Sequence, residues 1–180
     1  MKQMFVAAAL VLAAGACSAQ GYVGALAGLT KVSSNCRLPG VTCDDSDQGY
    51  KLYGGYSFNP NVAVELGYAS FGKLKMSGPG GRAEIKGSAV SLVAALRGQF
   101  SNSVTGVARL GFAGVNAKVS STIAGLGDSE DNVKLYAGLG LEYALTKNLN
   151  VNAAADYTDV EYDGERGSAY LVGLGLQYGF

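Results

Sequence analysis

Histidine and tryptophan are both absent from this chain of 180 residues. Without histidine there is no Ser-His or Cys-His nucleophile, no His-ligated zinc and no haem held by His. Proline is scarce, at 3 residues, while glycine is abundant at 27. Few prolines beside many glycines exclude both a collagen-like chain and a disordered Pro/Gly tract. Neither sign of charge predominates, since 14 Lys+Arg face 14 Asp+Glu. That balance leaves no field to attract nucleic acid. Long apolar runs are missing too, and no segment after the N-terminus has the length of a transmembrane helix. Yet 48 % of the residues are hydrophobic, so an apolar surface has to be placed somewhere.

Part of it lies at the start. Met1-Lys2-Gln3 carries one positive charge, and Met4 to Ala16 is apolar and small. Cys17-Ser18-Ala19 then offers small residues for cleavage before Gln20. This is the build of a secretory signal peptide over residues 1–19, followed by a mature domain over residues 20–180. An alternative reads Ala14-Gly15-Ala16-Cys17 as a lipobox-like segment with Cys17 lipidated, although the usual Leu three residues before the Cys is lacking. Cleavage before Gln20 leaves Cys36 and Cys43, an even pair in an exported chain, which reads as a disulfide. Pro39-Gly40 between them helps the chain turn back. A loop that short is worth on the order of 2 kcal/mol.

The mature chain alternates with period two. Eight runs carry apolar residues at every second position, from Val23-x-Ala25-x-Ala27-x-Leu29 to Tyr170, Val172, Leu174, Leu176, Tyr178 and Phe180. Between them lie Tyr50–Phe58, Val62–Tyr68, Val90–Phe100, Ala108–Gly114, Leu135–Leu145 and Val151–Tyr157. No charged residue falls on this parity. The opposite parity carries Lys51, Glu65, Arg97, Arg109, Glu142 and Asp156, with many glycines between them. A soluble sandwich turns its large apolar residues inward. A small membrane barrel inverts that, with an apolar outside and a tight polar lumen. The connections agree with the inversion. Three are short: Asn59-Pro60-Asn61, Ser101-Asn102-Ser103 and Thr146-Lys147-Asn148. Four longer polar ones are expected over residues 32–47, 73–82, 119–131 and 159–167. The fold expected is therefore all-β: an eight-stranded antiparallel up-and-down transmembrane β-barrel, preceded by a signal peptide, with the short turns and both mature termini in the periplasm.

The six lumen charges are three positive and three negative. In an interior only wide enough for side chains, unpaired ions are costly, so pairing is expected. Counting from the periplasmic turns sets Glu65 beside Arg97 and Arg109 beside Glu142. Tyr22, Tyr53 and Tyr136 share the lumen parity and read as space-fillers. The GxG pairs at Gly138–Gly140 and Gly173–Gly175 precede no helix that could hold a phosphate. Asp44-Asp45-Ser46-Asp47 reads as a solvated loop, with a divalent cation as the alternative. Lys73 and Lys75 are placed in an outer loop facing lipopolysaccharide phosphates. No catalytic residue, cofactor or metal site is expected.

Gly54-Gly55-Tyr56-Ser57-Phe58-Asn59-Pro60-Asn61-Val62, continuing through Glu65-Leu66-Gly67-Tyr68, resembles the OmpA-type outer-membrane β-barrel family. Arg109-Leu110-Gly111 and Gly140-Leu141-Glu142-Tyr143-Ala144-Leu145-Thr146 resemble it as well. The resemblance implies a barrel in the outer membrane of a Gram-negative bacterium, among outer-membrane lipids and lipopolysaccharide, and a monomer. It also implies that Tyr170, Val172, Leu174, Leu176, Tyr178 and Phe180 form the C-terminal signal read by the barrel-assembly machinery. Two departures stand out. The chain stops at its last strand, so the family's peptidoglycan-binding domain, and with it cell-wall tethering, is not implied. The family's seventh-strand lumen Arg and fourth-strand Lys correspond to Ala154 and Ala95, so the family's gating switch does not transfer. The function expected is a non-catalytic role in envelope integrity, with a narrow porin or an adhesin acting through outer loops as alternatives.

Overall fold

The computed structural model describes residues 20–33, 42–44, 46–78, 81–121, 131–162 and 165–180. Its strands are β1 (Gly21–Ser33), β2 (Thr42–Asp44), β3 (Ser46–Asn59), β4 (Val62–Gly78), β5 (Gly81–Gln99), β6 (Val104–Ser121), β7 (Asp131–Ala144), β8 (Leu149–Tyr162) and β9 (Glu165–Gly179). All eight long strands pair antiparallel with their neighbours along the chain. The sheet closes where β1 pairs with β9, from Tyr22 opposite Gly179 to Ser33 opposite Ser168. Closure leaves no open edge along the spanning stretch, as hydrocarbon demands of backbone N–H and C=O groups. The short β2 adds to β4 beyond the end of β3. No helix among the described residues is long and apolar enough to cross a membrane, which says nothing against a crossing by strands.

Alternation decides which way each side chain points. Leu29, Leu66, Phe112, Leu139 and Leu174 are each more than half exposed, and every one lies on the parity the sequence marks as apolar. Through the middle of all eight long strands the other parity is buried or half-buried. Aromatic pairs ring the apolar belt. Tyr56–Phe58 and Tyr178–Phe180 sit near the short turns, and Tyr50–Tyr68 and Tyr157–Tyr170 toward the opposite end. Rings that are apolar in body and polar at the tip favour the two membrane interfaces.

The three short turns are each closed by the side chain of their first residue. Asn59 Oδ1 accepts from the N–H groups of Asn61 and Val62, both at 2.9 Å. Ser101 Oγ accepts from Val104 N–H, and Thr146 Oγ1 from Leu149 N–H. Such local acceptors are why Asn, Ser and Thr suit turns.

At the other end the strands run further than the alternation alone suggests. Residues 73–78 belong to β4 and residues 81–82 to β5, so the expected loop over 73–82 shrinks to the hairpin tip. Lys73 and Lys75 are strand residues, paired with Lys86 and Glu84. Asp44 and Ser46–Asp47 likewise lie in β2 and β3 rather than in a loop. Cross-strand pairing carries the β4–β5 ladder on to Gly78 opposite Gly81, after the apolar pattern stops. A register shift at residues 71–72 breaks the β4–β5 ladder. Gly72 occupies it with φ +76°, a left-handed conformation that glycine adopts without strain. The expected signal peptide and Cys36 lie outside the described residues. Cys43 is on β2, opposite Met76.

Candidate functional site

The lumen holds all six sequence-marked charges, and it is layered. Nearest the short turns, Glu65 (β4), Arg97 (β5), Arg109 (β6) and Glu142 (β7) come together. Arg109 Nε donates to Glu65 Oε2 at 2.6 Å. Arg97 Nη2 lies 3.7 Å from Glu65 and 3.6 Å from Glu142, and Arg109 Nη2 lies 3.9 Å from Glu142. The two expected neighbours are therefore close, but the shortest bridge joins Arg109 to Glu65 across an intervening strand. The reason is Ala95, which faces Arg109 in the β5–β6 register and Ala63 in the β4–β5 register. Two methyl groups leave room for the guanidinium to pass over β5.

The lumen tyrosines do more than fill space. Tyr22 OH donates to Glu65 Oε1 at 2.8 Å, and the Arg97 guanidinium stacks 4.3 Å from the Tyr22 ring centroid. Asn152 Nδ2 donates to Tyr53 OH, which donates to Gln177 Oε1 at 3.0 Å. Tyr22 faces Gly55 and Tyr53 faces Gly24 in the β1–β3 register. A Cβ at either glycine would collide with the tyrosine opposite. Each ring lies flat over a glycine, and the two rings meet edge to face with centroids 6.4 Å apart. The pattern was visible in the sequence as Tyr and Gly on one parity, but the pairing depends on register.

Lys51 (β3) and Asp156 (β8) form a second bridge at 3.0 Å. Lys51 Nζ also donates to Tyr136 OH at 2.6 Å and lies 5.4 Å from the Tyr53 ring. Both charged side chains are buried. Further from the short turns, Phe71, Ala113, Val115, Ala169 and Leu171 are buried together, with the buried threonines Thr30 and Thr158 among them, opposite Leu171 and Ala169 in register. The sequence pattern did not separate this layer from the charged one, because both occupy the same parity.

Ion pairs inside, leucines and aromatics outside, and a sheet closed on itself together define a transmembrane β-barrel. The chain belongs to the outer membrane protein beta-barrel domain family, whose model matches residues 4–180. Outer membrane protein A of Shigella flexneri is 28 % identical over 196 residues, an alignment covering 100 % of this chain and 56 % of that protein. The chain thus spans about half the length of the curated relatives it matches. Among solved structures, neisserial surface protein A superposes with a TM-score of 0.66 at 18 % identity, covering 89 % of this chain and 97 % of that one. Ail, the attachment invasion locus protein of Yersinia pestis, gives 0.58 at 19 % identity, with 89 % and 99 % covered. At such identities the structures show the shared fold. The chain is an outer-membrane β-barrel of the OmpA type, located in the outer membrane of a Gram-negative bacterium.

Proposed function

We propose that this barrel is a non-catalytic, plugged structural element of the envelope. The observation that carries the reading is the layered lumen. Glu65, Arg97, Arg109 and Glu142 neutralise one another, and Phe71, Ala113, Val115 and Leu171, with the buried Thr30 and Thr158, fill the interior beyond them with uncharged side chains. An ion crossing that stretch would leave water for a packed interior without a counter-charge, which is strongly unfavourable. The lack of histidine supports the non-catalytic part of the reading. Lipopolysaccharide and the barrel-assembly machinery are the partners proposed, the latter through the alternating residues that end at Phe180. An N-terminal signal peptide and a disulfide between Cys36 and Cys43 belong to the same reading.

Planar-bilayer recording of the reconstituted protein tests it. A quiet baseline is expected. Robust single-channel steps, enlarged by Glu65→Ala, would replace the plug with a narrow porin.

One observation favours a second reading, an adhesin. β4, β5 and β6 have 17, 19 and 18 residues, whereas β7 and β8 have 14 each. A tilted membrane strand needs only about 9–11 residues. The surplus makes a wall on one side of the barrel, opposite the short turns. Binding of whole cells to host matrix, lost when the β4–β5 hairpin is shortened, would favour this role.

A further inference from the structure

The bulge in β4 changes the face on which the outer end of that strand lies. Leu66 and Tyr68 are exposed, so the even-numbered residues of β4 form its outer face up to Ser70. Ser70 lies opposite Ser88, yet Lys73, three residues on, lies opposite Lys86, only two residues from Ser88. The extra residue is absorbed at Phe71–Gly72, and one extra residue moves everything after it to the other face. Parity alone would put Lys73 on the lumen face. The bulge puts it on the outer face instead, in line with Lys86, which in turn lies opposite Lys118 on β6. Three lysines thus share one cross-strand row over β4, β5 and β6. The row below reads Ser70, Ser88, Asn116, and the row above reads Asp44, Lys75, Glu84, Ser120, with its charges alternating. The register puts no carboxylate in the lysine row itself. On the same face Glu84 stands two residues along β5, and Asp131 lies opposite Asn116 one row lower.

We infer that Lys73, Lys86 and Lys118 form a site for the phosphorylated sugar headgroup of lipopolysaccharide, with the β4 bulge supplying the third cation. The height of the row fits. From Phe100 up β5 to Val90 the exposed apolar series climbs about 25 Å along the barrel axis at a strand tilt near 40°. That is the height of an outer-membrane apolar band. Lys86 stands four residues beyond Val90, about 10 Å higher on the same reckoning, at the level of the lipid headgroups. This end lies opposite the short turns and so faces the cell exterior. The spacing fits as well. Neighbouring strands are about 4.8 Å apart, so the row spans about 10 Å. A headgroup with a phosphate at each end of a disaccharide can lie along all three cations, whereas a headgroup with a single phosphate meets only part of the row. Like charges directly opposite one another destabilise a sheet, and an anion laid along the row turns that repulsion into attraction. Bulges re-aim residues at functional places, and here the re-aimed residue is the one that completes the row. The inference rests on the lipopolysaccharide partner proposed above and names the residues that meet it.

Native mass spectrometry of the full chain in detergent micelles, titrated with lipid A carrying two phosphates and with its dephosphorylated form, tests it. Selective retention of the phosphorylated form is expected. Lys86→Gln is expected to weaken that retention about fivefold, and Lys73→Gln/Lys86→Gln/Lys118→Gln about a hundredfold. Deleting Gly72 returns Lys73 to the lumen parity and should match Lys73→Gln. Lys147→Gln removes an exposed cation from a short turn at the opposite end and should change nothing. Folding of each variant is checked by heat-modifiable gel mobility, and the single variants carry the test should the triple variant or the deletion fail to fold. If the wild-type chain holds both forms of lipid A alike, the lipopolysaccharide partner falls and the inference with it. If discrimination persists in the folded lysine variants, or is lost equally in Lys147→Gln, the partner stands and the row is overturned as its site. Displacement of lipid A by an equal concentration of inorganic phosphate would make the row a site for free phosphate and overturn the glycolipid.

Discussion

Arg109 reaches Glu65 across β5, Nε to Oε2 at 2.6 Å, by passing over Ala95, which is wholly buried. This contact joins two strands that do not touch each other in the sheet. It ties the two strands that flank β5 into one unit.

Removing one partner should cost more than removing both. Glu65→Ala leaves the buried Arg109 guanidinium with the 3.9 Å approach of Glu142 and the Tyr53 ring 5.5 Å away. A loss of about 3–5 kcal/mol is expected for either single truncation. The double Glu65→Leu/Arg109→Leu variant should lose less than the two singles together. Ala95→Leu should reproduce part of the effect without touching a charge, because the larger side chain fills the passage. Urea titration of the barrel in phospholipid vesicles, read by folded and unfolded gel mobility, measures all of these. A double-variant cost equal to the sum of the two singles would show that the bridge is not a coupled pair.

Glycines on the same parity should not be equivalent to those facing lipid. Gly55→Ala places a methyl group against the Tyr22 ring, whereas Gly98→Ala meets nothing within 4 Å. Overpacking at Gly55 is expected to cost about 1–3 kcal/mol, and Gly98→Ala to stay within about 0.5 kcal/mol. The same urea titration compares them. A neutral Gly55→Ala would mean that the Tyr22 ring moves aside freely and is not held by Glu65.

The outer belt makes an orthogonal prediction. Leu139 is 68 % exposed on the apolar parity. Leu139→Arg should destabilise the barrel by about 2–4 kcal/mol in vesicles, since the cation must be held in hydrocarbon. In a detergent micelle, where water is near, the penalty should shrink. A similar penalty in both media would argue that Leu139 is packed against protein instead.

Much of this molecule was legible in one dimension. Period two separated Leu66 from Glu65 and Leu110 from Arg109, and the two faces of the spanning stretch followed from it. The short turns were legible as well, because Asn59, Ser101 and Thr146 supply their own acceptors. Two features were not. The outer ends of β4 and β5 lie beyond the apolar pattern, where the backbone ladder continues from Lys73 opposite Lys86 to Gly78 opposite Gly81. The bond from Arg109 to Glu65 depends on which residue of β5 stands between them.

Pointing direction through the spanning stretch, the number of strands and the membrane face are therefore properties of the linear chain, since a strand turns successive side chains to opposite faces whatever its neighbours are. Who meets whom inside is a property of register and shear. Arg97, Arg109, Glu65 and Glu142 are all marked as lumen charges by parity, but it is the register of β4 to β7, rolled up by closure of β1 on β9, that sets one bridge at 2.6 Å and the others at 3.6–3.9 Å. The same closure, and not the alternation, gathers Phe71, Val115 and Leu171 beyond the charges, because residues distant in the chain share a height only once the sheet has closed.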